Sequence, residues 1–489
     1  MDSQAFLLHL IRMKFGFMAC FHYIFVPLTL GLIVCVACME TAFVRTQAKA
    51  WESAARFWFR LFLVSWIVGV ATGYPLRAQL ATDWGHYFAY VRPLLDRIVP
   101  IETAIGPVML AGVVTVAVFG SRLFPVVRMA IVWGLVALMT CQAVTILSMN
   151  AWMQHPGREL FLNPMAISTV SHVLSAALIC ACTVICGISI IYLGRGQHLP
   201  VARVSLRAGL MLGALSSVCV IVTGHLSAEH VARYQPMKFA AFEGLWREEH
   251  GPAGWVAFAL PDPVRQANRL EVKLPYLLSL LTGNGLTGSP PGIREVLASE
   301  REQIQRSIRD PNSSPDLQGY RQLYTREKAL AVKPVSDDEL IQRAAAYTIP
   351  SVPVLFTGFR LMAMIGLALL TAFILGLIFR ERLQSERPRW SWFVIPALLP
   401  LPWLATFAGW MVAEMGRQPW TVYGYLPTFQ SAQLPTLAQG VWGTLSIVSA
   451  YLLLAIVFAV LSARLVWVGP TPRTPSAIAT QLIALPSPT

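Results

Sequence analysis

From Phe15 to Cys38 the chain runs without one charged side chain. Eight more apolar stretches follow, at about 57–78, 98–120, 129–150, 166–193, 207–226, 351–379, 391–415 and 437–465. A run of about 18 apolar residues or more is long enough to cross a bilayer as a helix. In lipid a helix satisfies its own backbone N–H and C=O groups, so such runs admit few other folds. The balance of residue types agrees: 55% are hydrophobic and 13% charged, where a soluble chain carries about 25% charged residues. The sequence therefore predicts an all-α, polytopic membrane protein with nine transmembrane helices. The first run is too long for the apolar part of a signal peptide and lacks a convincing small-residue cleavage site, so it reads as a retained span.

Lysines and arginines set the orientation. One set of loops carries Arg45, Lys49, Arg56 and Arg60, then Arg122 and Arg128, then Arg195, Arg203 and Arg207, then Arg380, Arg382, Arg387 and Arg389. The opposite loops hold Arg92, Arg158, Arg417 and a few residues at span edges. The first set belongs in the cytoplasm, which places the N-terminus outside and the C-terminus inside. Arg12 and Lys14 break the trend. The net charge of +13 is spread over these loops, where it meets anionic headgroups. It forms no concentrated basic face for nucleic acid, and no such partner is expected.

The expected organisation is six helices over 1–226, a soluble outer loop over 227–349, three helices over 350–466, and a disordered cytoplasmic tail over 467–489. The outer loop mixes a charged helical pattern, "REVLASEREQIQRSIRD", with turn signals, "GNGLTGSPPG". All eight cysteines lie in apolar runs, so no disulfide framework exists in the loop. The Cys35-Val-Ala-Cys38 spacing matches a redox pair only as a pattern and reads as packing.

The polar residues in or beside the spans gather near the outer face: His22, Glu102, His172, Met362 and Glu414. Glu414 poses the sharpest question, because a carboxylate in a span costs roughly 2.5–3.5 kcal/mol on insertion scales. Each residue alone has an ordinary reading, as a helix-to-helix hydrogen bond, core filler or a carboxylate reaching the headgroups. Together they are the side chains that serve as axial ligands of haem iron. Arg12, Arg360 and Arg417 near the same face suit haem propionates.

Several stretches carry a resemblance. "FHYIFVPLTLG" and "CMETAFV" in the first span, "GVATG" in the second, "NAWMQHP" after the fourth and "PLPWLATFAGWMVAEMGRQPW" in the eighth resemble subunit I of the cytochrome bd family of quinol oxidases. The resemblance covers nearly the whole chain. It implies that His172 and Met362 hold a low-spin haem b. It implies that His22 ligates a high-spin haem, haem d or a further haem b, and that Glu414 serves a second high-spin haem, of the b type. Glu102 would sit beside the oxygen site, with Arg12, Arg360, Trp410 and Arg417 around the haems. Lys238 and Glu243 in "KFAAFEG" match the lysine and glutamate of the periplasmic quinol-binding loop. Five residues apart, these two diverge by about 140° on a helix and need not touch.

The implied reaction is oxidation of quinol (ubiquinol or menaquinol) at the outer face and reduction of oxygen to water, without proton pumping. The setting is the bacterial inner membrane, with a second membrane subunit and a small accessory single-span subunit. Departures from the family pattern bear on proton delivery. Leu110 stands where a second acidic residue is common, at a place expected to lie near a polar haem pocket. Arg77 replaces another acid before "LATDW", and "GHLSAEH" also differs. They leave open a paralogue that binds haem and passes electrons but reduces oxygen poorly. A transporter is the remaining alternative; it would show inverted repeats and helices broken at the midplane, whereas here no repeat is seen and the functional-looking residues lie near one face.

Overall fold

The computed structural model describes residues 3–157, 159–249, 252–282, 289–310, 315–385, 395 and 397–470. Six long helices come first: α1 (Ser3–Thr46), α2 (Lys49–Thr82), α3 (Gly85–Phe119), α4 (Pro125–Gln154), α5 (Pro164–Arg195) and α6 (Leu199–Tyr234). The loop region holds α7 (Pro236–Glu243), the hairpin β1 (Trp255–Asp262) and β2 (Ala267–Leu274), and α8 (Leu277–Leu281). It continues with α9 (Ile293–Arg309), α10 (Gln318–Leu330) and α11 (Asp337–Ala346). The chain then returns through α12 (Val352–Ile378), α13 (Arg380–Ser385) and α14 (Leu401–Met415). It ends with a small hairpin, β3 (Trp420–Val422) and β4 (Leu426–Pro427), then α15 (Thr428–Ser431) and α16 (Leu437–Val468).

Helices account for 79% of the structure, which settles the class as all-α. Among the described residues, eight helices are long and apolar enough to cross a membrane: α1 to α6, α12 and α16. The expected span at 391–415 is described only in part, because residues 391–394 and 396 lie outside the described residues. Its described portion runs from Ile395 and Leu399, against Gly187 of α5, to α14. The expected tail lies largely outside the described residues too, since α16 continues to Val468.

The long helices exceed the apolar runs. Thirty residues rise about 45 Å, against a hydrocarbon thickness of about 30 Å. The ends therefore project past the apolar layer, and α6 carries on to Tyr234, beyond the expected boundary at 226. Cues at the ends are local. Asn163 caps α5 by accepting from the Met165 N–H at 2.9 Å, and Gly196 ends it with φ 68°.

Helices pack closely where small residues allow it. At Gly31 of α1 a Cβ would stand 2.3 Å from the Ala177 carbonyl oxygen of α5, so only glycine permits this approach. The core between α1, α2, α4, α5 and α6 holds Leu32, Trp58, Val132, Ile185 and Leu206. Cys35 and Cys182 meet there with sulfurs 3.9 Å apart, and all eight cysteines are free thiols. Toward the end away from the loop region, Arg128 holds Glu40 through two bonds of 2.7 and 2.9 Å.

The loop region was expected to be helical with turns; it also contains the antiparallel β1–β2 pair. Its helices α9, α10 and α11 close around Ile304, Tyr320, Leu340 and Ala344, and Trp420 of β3 enters the same cluster. Tyr320 and Trp420 lie edge to face with ring centroids 5.1 Å apart. This contact ties the loop region to the segment that follows α14.

Candidate functional site

A cavity of about 1590 Å³ begins beneath the loop region and runs into the bundle. Single small-molecule pockets occupy roughly 300–1,000 Å³, so this space admits more than one ordinary ligand. His22, Glu102, His172, Met362, Trp410 and Glu414 all line it. Five helices, α1, α3, α5, α12 and α14, thus bring their expected residues to one place.

Both histidines present a defined nitrogen. His172 Nδ1 lies 3.0 Å from the Val220 carbonyl oxygen, which can only accept, so Nδ1 carries the proton and Nε2 keeps its lone pair. His22 Nδ1 lies 3.0 Å from Thr72 Oγ1, whose own proton goes to the Val68 or Gly69 carbonyl at 2.9 or 3.1 Å. Thr72 therefore accepts from His22, and Nε2 is again the bare nitrogen. Such outer partners fix the tautomer of metal-binding histidines.

Three glycines make room for these side chains. A Cβ at Gly73 would come within 2.9 Å of His22, one at Gly224 within 3.0 Å of His172, and one at Gly409 within 2.7 Å of the Met362 sulfur. The quoted stretches "GVATG", "GHLSAEH" and "PLPWLATFAGWM" contain these glycines, yet only the tertiary contacts reveal their purpose.

Glu414 is not alone. Asn150 Nδ2 donates to its Oε1 at 2.8 Å, Gln154 Nε2 stands 3.5 Å from the same oxygen, and Arg417 pairs with Oε2. Asn150 and Gln154 come from "NAWMQHP"; their spacing of four residues puts both on one face of α4. Arg417 is only 5% exposed, and its Nε and Nη1 have no hydrogen-bond partner among the described residues. Buried donors of this kind call for an acceptor. Arg12 donates to Gln418 Oε1 at 3.1 Å, which places it beside this cluster. Lys14, the other exception to the charge rule, makes a buried pair with Asp83 of "LATDW".

The loop residues diverge, as the helical period requires. Lys238 donates to Gln154 Oε1 at 3.0 Å, Gln235 Oε1 at 3.1 Å and the Ala413 carbonyl at 2.9 Å. Burial holds its ammonium down to about 7, although Glu414 nearby favours the charged form. Glu243 instead pairs with Arg360 at 2.7 Å, and Arg360 also donates to the Val256 carbonyl at 2.6 Å. The guanidinium lies between Trp255 and Phe356, 4.5 and 4.6 Å from their ring centroids. Burial pushes the Glu243 carboxyl up, and Arg360 opposes it. So Arg360, expected at a propionate, is turned to the loop region here. Lys238 and Glu243 both line the cavity.

Glu102 forms an ion pair with Arg77, the residue that departs from the family pattern. Leu110 does not lie near the polar pocket. It is 51% exposed on the outer side of α3, and Met109 is the residue that faces the cavity. A helix turns 100° per residue, which suffices to separate the two.

The donor set fits haem. It offers two imidazole nitrogens, a thioether and a carboxylate, with unpartnered arginine donors for an anionic edge. Among the described residues no three His, Cys, Asp or Glu side chains converge on a bare ion. One or two axial donors suit an iron already held by a macrocycle.

Residues 10–470 match the family described as cytochrome bd terminal oxidase subunit I. The chain is 31% identical to cytochrome bd-II ubiquinol oxidase subunit 1 of Escherichia coli (strain K12), covering 94% of this chain and 96% of that one. It is 30% identical to cytochrome bd ubiquinol oxidase subunit 1 of Bacillus subtilis (strain 168), over 94% and 92% respectively. Its fold is similar to the structure of bd oxidase from Geobacillus thermodenitrificans, with a TM-score of 0.76, 20% identity, and 95% and 99% of the two chains covered.

Proposed function

We propose a mechanism from one premise: the chain belongs to the cytochrome bd terminal oxidase subunit I family. It is the haem-containing subunit of a respiratory quinol oxidase, a multi-pass membrane protein that works with a second subunit on quinol and oxygen. The finer reading below rests on the side chains. Haem iron, when bound, supplies the one-electron steps between quinol and oxygen.

His172 and Met362 would hold a low-spin haem b, an imidazole and a thioether being a donor pair that suits electron transfer. His22 would hold a high-spin haem, d or a further b, and Glu414 would serve the second high-spin haem b. Arg417, whose Nε and Nη1 have no partner among the described residues, would pair with a propionate, with Arg12 and Trp410 alongside. Lys238 donates to one quinol oxygen. Glu243, with its raised carboxyl, accepts a proton from the quinol and is held in place by Arg360. Glu102 hands protons toward the oxygen site from its pairing with Arg77.

The loop region and N-terminus face outward and the C-terminus faces the cytoplasm. Quinol protons then leave on the outer side, those consumed in forming water enter from the cytoplasm, and charge separates without a pump. A small single-span subunit completes the complex.

The observation that carries this reading is the pair of histidines with Nδ1 held and Nε2 bare, lining one cavity with Met362 and Glu414. A reduced-minus-oxidised spectrum of the purified complex, with haem extraction, tests it. We expect a low-spin b signal and high-spin signals beside it; protein isolated without haem sinks the reading. Arg77 on Glu102 favours a second reading, a paralogue that passes electrons but reduces oxygen poorly. Oxygen uptake by the same sample separates the two.

A further inference from the structure

We propose that Gln154 is a positioning residue that ties the quinol loop to Glu414, so that a change at one is felt at the other. The inference rests on the quinol-oxidase reading above. Gln154 closes α4 and is 4% exposed. Its Oε1 accepts from Lys238 at 3.0 Å, while its Nε2 donates to the Ala413 carbonyl at 3.2 Å and stands 3.5 Å from Glu414 Oε1. Its main-chain carbonyl accepts from Gln235 Nε2 at 2.8 Å, and Gln235 Oε1 accepts from Lys238 at 3.1 Å. The end of α4, the first turn of α7 and the last turn of α14 thus meet on one carboxamide.

The residue type follows from the chemistry. A carboxamide offers an acceptor and a donor side by side. Glutamate would accept from Lys238 but face Glu414 with a like charge, and methionine would fill the volume and bond to neither. The Ala413 carbonyl is among the last four of α14, which have no partner within the helix. Lys238 and Gln154 supply that partner jointly, and a cation at a helix C-terminus is favoured. When Lys238 turns toward a quinol oxygen, Gln154 loses the donor that fixes its amide. Its contact with Glu414 then changes as well. Asn150 and Arg417 keep the carboxylate seated meanwhile, so Gln154 adjusts Glu414 and does not hold it.

The test uses the purified oxidase complex with Gln154→Met, Gln154→Glu, Lys238→Met and the double variants. Amide hydrogen exchange over residues 236–243 reports on the loop without reference to turnover. We expect Gln154→Met to keep its haem and to speed exchange over that segment. It should raise the quinol KM about tenfold, as loss of one hydrogen bond to a charged group implies, with kcat little changed. The high-spin absorption band should shift in the same variant. Lys238→Met should shift that band too, but not further in the Gln154→Met background, because coupled residues are non-additive. Additive shifts, or an unmoved high-spin band in both Gln154 variants, overturn the proposal. Should Gln154→Met fail to assemble, Gln154→Glu, which keeps the acceptor for Lys238, carries the same cycle. Absence of quinol turnover or of a high-spin band in the unvaried complex overturns the underlying reading instead, and shows before any variant is compared.

Discussion

A histidine that serves iron needs one nitrogen bare and the other anchored, and here the anchors are Thr72 and the Val220 carbonyl. Removing such an outer partner costs about 10–100-fold in affinity. Thr72→Val keeps the shape and frees His22 Nδ1, so it should weaken retention of the high-spin haem by about tenfold or more while the low-spin signal stays. Haem stoichiometry after gel filtration decides this; full retention would mean the hydroxyl is irrelevant to His22. His172→Ala and Met362→Leu should each abolish the six-coordinate low-spin signal with insertion intact. An unchanged low-spin spectrum in His172→Ala would remove it from the ligand set. At the loop, Glu243→Gln keeps a partner for Arg360 but cannot take up a proton. Quinol turnover should fall at least tenfold, the range attributed to general base catalysis being about 10²–10⁴, while haem spectra hold. Normal quinol kinetics in that variant would make the carboxylate a structural partner only.

At the scale of the element, α9 sets a titratable group into the core of the loop region. Glu300 is 3% exposed, and burial pushes its carboxyl up to about 7 against a hydrogen bond from Tyr320 that pulls it down. Its ordinary value is 4.5. Between those two values the folded state keeps a proton that the unfolded chain has released, so stability falls as pH rises through this window. Below it the contribution is complete, and above about 7 the loss is complete. Tyr320 and Tyr423 pack against the same carboxyl, and their raised values leave them neutral throughout. Protection factors over α9 and α10, with the intrinsic base-catalysed exchange rate divided out, should therefore be lower at pH 8 than at pH 5, and Glu300→Gln should flatten the difference. A pH dependence that survives in the glutamine variant would assign it to another group. Because Trp420 enters the same cluster, loosening α9 reaches the segment that carries Arg417 and Gln418.

At the scale of the molecule, α3 shows which side of the bundle looks away from the chemistry. Met109 lines the cavity and Leu110 lies on the outer side, among Val108 and Val114. Leu110→Glu would place a carboxylate where lipid or the second subunit lies, at a cost of roughly 2.5–3.5 kcal/mol. The yield of assembled complex should drop, and oxygen turnover per haem should not rise. Faster turnover at normal yield would show that this side chain reaches the oxygen site after all.

The sequence by itself determined the class, because apolar runs of span length leave the backbone little but helix in lipid. It also singled out His22, His172, Met362 and Glu414, which stand out as polar or soft groups in apolar surroundings and line one cavity. The matching motifs made Lys238 and Glu243 legible as well. Their partners were not. Arg360 turns to Glu243, Gln154 to Lys238 and Ala413, Arg77 to Glu102, and Lys14 to Asp83. Each pairing joins residues from separate helices, and one sequence carries no record of which helix faces which. The same reason hid the role of Gly73, Gly224 and Gly409 and put Leu110 on the wrong side. Composition along a helix tells how apolar it is; the phase of each face, 100° per residue, is settled only when neighbours pack.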